Sequence, residues 1–318
     1  MSKTRVVVCG SIAIDRIMNF SGNYHELIDA AKIKVLSLSV LVESLAVVEG
    51  GIGANIAYGL ALLGGDVSLL GAVGADGLDY LQRLGEMGID TSGVHLSRLP
   101  TGSFSVLTDS AGNQVGGFYP GAMSDAEHLS FAPWVEAGED IIACISAHDP
   151  AAMRRQTEEC LKHKLRLLYD PGQQVSTVPA EDLKRGIEAA EIVMVNEYEL
   201  STLCKRTGIS ETELQTSVPI LVTTHGEHGS RIFDSRLPDT VEIGIAKPEA
   251  YVDPTGAGDA YRAGFLYAHL RQWETSKCGR LGAVMASFAI EHRGPQAPFS
   301  RESVMQRYQK TFNEEVKL

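Results

Sequence analysis

Residues 253–264, Asp-Pro-Thr-Gly-Ala-Gly-Asp-Ala-Tyr-Arg-Ala-Gly, hold the residue types best suited to chemistry in this chain. Gly256 and Gly258 flank Ala257 and let backbone N–H groups turn toward a common point, a nest for an anion. Residues 257–270 read as a helix, so the nest sits on that helix's positive N-terminal end. Asp259 falls in the first turn, beside wherever the anion binds. A carboxylate beside a phosphate is repelled unless it has another task. The task available is to accept the proton of a hydroxyl that attacks phosphorus. Gly-Ala-Gly-Asp alone better describes a loop closed by an acidic helix cap. Asp253 and Thr255 ahead of it, and the glycine-spaced helix behind, turn the balance toward phosphoryl transfer.

A second glycine cluster, Gly50-Gly51-Ile52-Gly53-Ala54-Asn55, opens a helix over 54–63. Glycines there let a substrate approach the backbone, and Asn55 offers both a donor and an acceptor to vicinal hydroxyls. Close packing of helix on sheet explains Gly53 equally well. A dinucleotide fingerprint fails, since its third glycine position is Ile56, and a Walker A loop is absent. In Gly10-Ser11-Ile-Ala-Ile-Asp15, Asp15 ends the first predicted strand, where a carboxylate can accept two hydroxyl protons from a sugar. A turn or cap residue is the even alternative. Asn196 and Glu199 share one face of a first helical turn, able to address a hydrated Mg²⁺ or simply to cap the helix. Thr223 ends another strand, and Gly226 leaves room for nucleotide phosphates. His225 and His228 lack a third ligand for zinc.

These residues need a scaffold. Apolar runs at 6–14, 67–73, 141–146, 165–170, 192–196 and 220–224 alternate with helix-period segments at 54–63, 79–87, 151–163, 180–189 and 197–207. Two longer helices, 257–273 and 277–292, follow. The alternation predicts an α/β fold, a doubly wound and mostly parallel sheet with helices on both faces. Ligands then sit at the carboxyl ends of the strands, where Asp15, Asp170 and Asn196 fall. Two segments break the rhythm: a half-exposed strand at 35–49, and a hairpin at 103–119 around Asp109-Ser-Ala-Gly-Asn113. They predict a small β-sheet lid. The core is assigned to 1–15, 49–99 and 123–318, and the lid to 16–48 and 100–122. Phe104 and Phe118 lie on opposite strands of the hairpin, placed to sandwich a flat base or to pack across the strands.

With 318 residues, 21% charged and 44% hydrophobic, the composition is that of an ordinary globular chain. A net charge of −12 argues against nucleic acid as a partner, though not against ATP. No apolar run reaches the ~20 residues of a membrane span, and the start lacks a signal-peptide pattern. Five scattered cysteines without a C-x-x-C pair fit reduced thiols in the cytoplasm.

Together, the Gly-Gly-x-Gly-Ala-Asn cluster at 50–55, Asn196-x-x-Glu199 and Asp253-x-Thr-Gly-Ala-Gly-Asp259 resemble the ribokinase-like (PfkB-type) carbohydrate kinase family in order and spacing, over nearly the whole chain. The resemblance implies Asp259 as catalytic base and the N–H groups of Gly256, Ala257 and Gly258 as an anion hole. It implies ATP as phosphate donor, contacted by Asn196, Thr223, Gly226 and the nest, with Mg²⁺ organised through water by Asn196 and Glu199. Asp253 and Thr255, with carbonyls near Ala289 and Gly294, resemble a monovalent-cation (K⁺) site. Sugar kinases of the family usually carry Lys where this chain has Ile52. Gly117-Phe-Tyr-Pro-Gly-Ala-Met-Ser124 and Asp170-Pro-Gly-Gln-Gln174 resemble bacterial adenosine kinases, which implies adenine held by Phe104 and Phe118 with Gln173 and Gln174 near the purine or ribose. Arg262, one helical turn past Asp259, reaches a phosphate or forms a surface salt bridge.

The expected reaction is ATP·Mg²⁺ plus adenosine giving ADP and AMP at the 5′-hydroxyl, with Ser11, Asp15, Gly51 and Asn55 at the ribose. A kinase for ribose, fructose or a related polyol is the nearer rival, and a nucleoside-binding protein without catalysis the farther one. The exposed edge of a lid sheet invites a homodimer.

Overall fold

The apolar runs of the sequence become strands whose alternate residues enter two different cores. The computed structural model describes residues 4–28 and 38–318. Its first strands are β1 (Arg5–Cys9), β2 (Ala13–Asn19), β3 (Ser44–Gly50), β4 (Val67–Val73) and β5 (Val94–Leu96). A hairpin, β6 (Ser103–Thr108) and β7 (Gln114–Tyr119), follows. The remainder are β8 (Ile141–Ile145), β9 (Arg166–Tyr169), β10 (Ile192–Asn196), β11 (Ile220–Thr224), β12 (Ser230–Asp234) and β13 (Val241–Ile243). Nine of them form one sheet in the order β13-β12-β11-β10-β9-β8-β1-β4-β5. It is parallel from β5 through β11, with β12 and β13 added antiparallel at one edge.

Helices cover both faces. Val6 and Val8 of β1 enter the core packed by α2 (Ile52–Leu62), α3 (Leu78–Glu86), α9 (Ala257–Leu270), α10 (Thr275–Ile290) and α11 (Arg301–Phe312). Val7 and Cys9 enter the opposite core, packed by α4 (Ala132–Glu136), α5 (Pro150–His163), α6 (Ala180–Ala189), α7 (Glu197–Thr207) and α8 (Glu211–Ser217). A short α1 (Tyr24–Leu27) stands beside the second sheet. Strands buried on both faces carry no polar alternation, which is why β1, β4 and β8 read as continuous apolar runs. Among the described residues no helix is long and apolar enough to cross a membrane.

The second sheet is four-stranded, ordered β3-β2-β6-β7. The hairpin at 103–119 is present, its turn tied by the Asp109 carboxylate, which accepts from the N–H groups of Ala111 and Asn113 at 2.9 and 2.8 Å. Of the strand expected at 35–49, positions 35–37 lie outside the described residues, and β3 occupies the rest from Ser44.

The first predicted strand is corrected. Residues 6–14 do not form one strand: the chain leaves the main sheet after Cys9 and enters the small sheet at Ala13. Gly10 lets the start of α2 pack closely on the break, because a Cβ there would lie 2.6 Å from the α-carbon of Gly53. Asp15 is therefore the third residue of β2, not the end of a core strand. Helix α9 stops at Leu270 and α10 at Ile290, both short of their expected ends.

Four crossings join the two sheets, at residues 10–12, 50–51, 101–102 and 120–121, and they lie against one another. Ala13 pairs with Gly50 on one side and bridges Gly102 on the other. The Ile14 N–H donates to the Gly102 carbonyl at 2.9 Å, and the Ala122 N–H to that of Pro100 at 2.8 Å.

Candidate active site

Gly256 caps α9 in the left-handed conformation at φ 78°, open to glycine at little cost. A Cβ there would also lie 2.6 Å from the α-carbon of Pro295, so the position excludes every side chain. The chain thus enters α9 with the first-turn N–H groups of Gly256, Ala257 and Gly258 at the helix start. Asp259 follows within that turn. Its Oδ2 accepts a hydrogen bond of 2.8 Å from Nδ2 of Asn55, on α2. The two glycine clusters, some 200 residues apart in sequence, meet at this bond.

Around Asn55 the small sheet contributes. The faces of Gly50 look toward Asp15 and Asn55: a Cβ built there would be 3.5 Å from Asp15 Oδ2 and 4.0 Å from Asn55 Oδ1. The Asp15 Oδ1 accepts the Phe104 N–H at 2.9 Å, locking β2 to β6, and burial raises its pKa against that bond. Ser11 holds the glycine loop: its Oγ accepts the Ile52 N–H at 3.0 Å, which leaves the O–H to donate, and its carbonyl accepts the N–H groups of Gly53 and Ala54. Gly53 packs on Gly10, the close-packing alternative raised for it. Gly51 at φ 93° turns the loop into α2.

Phe104 and Phe118 are direct cross-strand partners in β6 and β7. Register places them on the face that carries Asp15 and Ile17. They are 39% and 47% exposed. Cross-strand partners stand side by side, and the Phe104 ring lies over Gly116. The two rings therefore share one face of the small sheet. Gln173 and Gln174 lie on a 3₁₀ turn at Gly172–Ser176. Gly172 brings that turn to Ile52, whose Cδ1 would lie 3.8 Å from a Cβ there.

The charges beneath the nest are buried. Arg262 is 6% exposed and Asp170, at the end of β9, is fully buried. They pair Nε to Oδ2 at 2.6 Å and Nη2 to Oδ1 at 2.6 Å, with Glu199 Oε2 3.8 Å from Nη2. Arg262 is not a surface salt bridge, a correction that follows from its position on the inner face of α9. Burial raises the pKa of both Asp170 and Glu199, with Arg262 opposing it. Burial also pushes Asp259 up to about 6, opposed by Arg262 and by the Asn55 hydrogen bond, and reinforced by Asp170 and Glu199. A carboxylate poised there exchanges protons readily near neutral pH.

Asn196 and Glu199 form a reciprocal capping box on α7, each side chain accepting the other's N–H at 2.8 Å. One Glu199 oxygen, Oε2, is thus occupied by the cap, and Oε1 takes no part in it. Thr223 is buried at the end of β11, while Gly226, at φ 56°, opens onto free space. The Asp253 carboxylate accepts the N–H groups of Thr255 at 2.9 Å and Gly294 at 3.0 Å. It thereby joins the 253–255 loop to the segment following α10, and the Ala289 carbonyl, in the last turn of α10, accepts from the His292 N–H at 3.1 Å. Three of the four residues expected at a monovalent-cation site, Asp253, Thr255 and Gly294, fall on these two loops, and Ala289 falls in the last turn of α10.

The family model described as pfkB family carbohydrate kinase matches residues 3–302. The chain belongs to the pfkB family. Several relatives sharpen the family placement. The chain is 34% identical to a Burkholderia thailandensis nucleoside kinase whose structure was solved in complex with inosine. That structure covers 98% of this chain and 100% of its own, with a TM-score of 0.86. A Methanocaldococcus jannaschii nucleoside kinase, an archaeal member of the ribokinase family, superposes with a TM-score of 0.83 at 28% identity, covering 98% of this chain and 100% of that one. The nucleoside kinase of Methanothermobacter thermautotrophicus is 33% identical over 265 residues, 81% of this chain and 83% of that protein. Members of the pfkB family are phosphotransferases acting on a hydroxyl group, the activity the nest and Asp259 suit.

Two contributors escaped the motifs. Tyr80 and Gln296 surround Asn55 from behind, Tyr80 on α3 and Gln296 in the segment before α11. Neither sits in a glycine-rich or acidic signature. Asp170 and Arg262 were both visible as candidates, but only the fold shows that they meet.

Proposed function

We propose that this chain transfers the γ-phosphoryl group of ATP·Mg²⁺ to the 5′-hydroxyl of a nucleoside, adenosine foremost, yielding ADP and AMP. One observation carries the reading: a carboxylate raised to about 6 sits at the mouth of a helix-terminal anion nest and is hydrogen-bonded to Asn55 of the substrate loop. Similarity to nucleoside kinases along nearly the whole chain supports a nucleoside over a free sugar. So does Ile52, an apolar side chain where a polar sugar contact is expected in ribokinase-type enzymes.

In this mechanism Asp15 and Asn55 bind the ribose 2′- and 3′-hydroxyls and aim the 5′-oxygen at phosphorus. Asp259 accepts the hydroxyl proton as the new O–P bond forms and the bond to the β-phosphate oxygen breaks. The N–H groups of Gly256, Ala257 and Gly258 stabilise the charge on the transferring group, where preorganised donors count most. Mg²⁺, held through water by Glu199 beside Asn196, would neutralise the ATP phosphates. Asp253, Thr255 and the carbonyls near Ala289 and Gly294 would hold K⁺ beneath the nest. Thr223 and Gly226 border the nucleotide. Phe104 and Phe118 form the platform for the base, with Gln173 and Gln174 at its rim.

The small sheet carries exposed Leu45, Val47 and Val115 on its outer strands, and we assign it to a homodimer contact, tested by sedimentation of the wild type against Val47→Glu. The five cysteines are free, as suits the cytoplasm.

The deciding experiment is ADP release from ATP·Mg²⁺, with and without K⁺, against adenosine, inosine, guanosine, cytidine, ribose and fructose. Turnover with nucleosides and highest kcat/KM for adenosine is the expected result. Turnover confined to ribose or fructose overturns the nucleoside assignment.

A further inference from the structure

The side-chain amide of Asn55 is useful only in one orientation: its NH₂ must face the Asp259 carboxylate, which accepts and cannot donate when ionised. An asparagine amide turned by half a circle presents oxygen to oxygen. Something must hold it the right way round, and the substrate loop itself offers no such group.

A chain of hydrogen bonds reaches Asn55 from behind. Gln296 Nε2 donates to Asn55 Oδ1 at 3.1 Å and, with its other hydrogen, to the Tyr80 hydroxyl. Tyr80 in turn donates to the backbone carbonyl of Gly50 at 3.1 Å. A carbonyl is an obligate acceptor, so Tyr80 must give its proton to Gly50 and must accept from Gln296. The group that Gln296 presents is then its NH₂, and the atom of Asn55 that meets it must be oxygen. The opposite end of the chain, the Asn55 NH₂ on Asp259 Oδ2 at 2.8 Å, is fixed by the same logic. Two acceptors that cannot reverse, one at each end, leave a single polarity for every link between them. Tyr80 is 2% exposed, and burial pushes its phenol up, so it stays a donor throughout the working pH range.

We infer that Gln296, oriented by Tyr80, is a positioning residue: it fixes the amide of Asn55 so that Asn55 occupies one oxygen of Asp259 and leaves the other for the substrate hydroxyl. Gln296 and Tyr80 touch neither reactant. The effect of Gln296 passes through Asn55. The inference rests on the proposed role of Asp259 and Asn55, and adds to it a residue from a loop that no motif marks. A polarised chain is rigid when every member is satisfied and fails as a unit when one is lost.

The test is a double-mutant cycle. Gln296→Leu replaces the amide by a shorter apolar side chain and removes the donor. Gln296 lines a cleft of about 730 Å³ together with Tyr80, Arg16 and Arg293, so the change has room and folding survives it. In the otherwise intact enzyme, Gln296→Leu is expected to lower kcat/KM for the nucleoside about tenfold with the KM for ATP unchanged. In an Asn55→Ala background the same substitution is expected to change kcat/KM less than twofold. Gln296→Glu places an acceptor against Asn55, turns the amide over, and is expected to be worse than Gln296→Leu. Tyr80→Phe frees Gln296 from one partner and is expected to lose activity through Asn55 in the same way. Equal losses with and without Asn55, or a loss that appears only in melting temperature, would overturn the assignment. An Asp259→Asn enzyme that turns over normally removes the mechanism on which it rests, so the two failures are told apart.

Discussion

The guanidinium of Arg262 closes on both oxygens of Asp170 at 2.6 Å directly beneath Gly258, where a Cβ would come within 2.9 Å of Arg262 Nη1. The pair ties the first turn of α9 to the end of β9, and Glu199 extends it to the start of α7. Three elements that carry the anion nest, the DPGQ turn and the capping box are thus joined through one buried cation. A buried ion pair is weak evidence of net stabilisation, but breaking one leaves an uncompensated charge.

Arg262→Met is therefore expected to cost about 3–5 kcal/mol of stability, the usual result of stranding a buried partner. Arg262→Met combined with Asp170→Leu removes both charges and recovers most of it. Urea unfolding midpoints of the two variants check the claim, and equal midpoints count against it.

Asp259 is expected to be the group that governs activity on the acid side. Its pKa is raised to about 6, chiefly by burial, and a base works only when deprotonated. The profile of kcat/KM should fall as pH drops through about 6 and level off above it. A plateau extending unchanged to pH 5 removes Asp259 from the rate-determining proton transfer.

Asp259→Asn keeps the shape and the contact with Asn55 but cannot take a proton. Turnover should fall by ~10²–10⁴, the usual contribution of a general base, while nucleoside affinity measured by calorimetry stays near that of the parent.

Gly256→Ala forces a side chain into a left-handed conformation, at roughly 1–2 kcal/mol, and into Pro295. Because the nest is built on this residue, kcat should fall further than the melting temperature would lead one to expect. A variant that is less stable yet fully active at low temperature would separate the nest from catalysis.

Phe104→Ala removes half of the aromatic platform. A stacked base is worth ~1–3 kcal/mol, so the KM for the nucleoside should rise accordingly while any activity on free ribose is unaffected. Unchanged KM for the nucleoside places the base elsewhere.

Much of this arrangement was readable before the fold was known, for identifiable reasons. The main sheet announced itself because strands such as β1 and β8 are buried on both faces and stay apolar throughout. The nest and Asp259 stood out because glycine at a helix start is a backbone requirement with a fixed address in sequence. The break at Gly10 was invisible, since Ala13 and Ile14 continue the apolar character of β1 while belonging to another sheet. The hairpin of β12 and β13 was missed because its short strands, with Arg231 and Glu242 exposed, carry too little apolar signal. Arg262 was misplaced for a related reason: spacing along a helix gives the face a residue occupies, but not whether Asp170 of a distant strand has covered that face. Gln296 and Tyr80 matter through each other's hydrogen-bond direction, a property of the folded geometry with no counterpart in residue type.

The four crossings between the sheets lie along a single seam, with Ala13 paired to both Gly50 and Gly102. A panel fastened along one seam swings about that seam and resists every other displacement. Ser11, at the same seam, also holds the N–H groups of Ile52, Gly53 and Ala54. The pivot and the glycine loop at 50–55 are therefore hydrogen-bonded together, and any swing of the panel is geared to that loop.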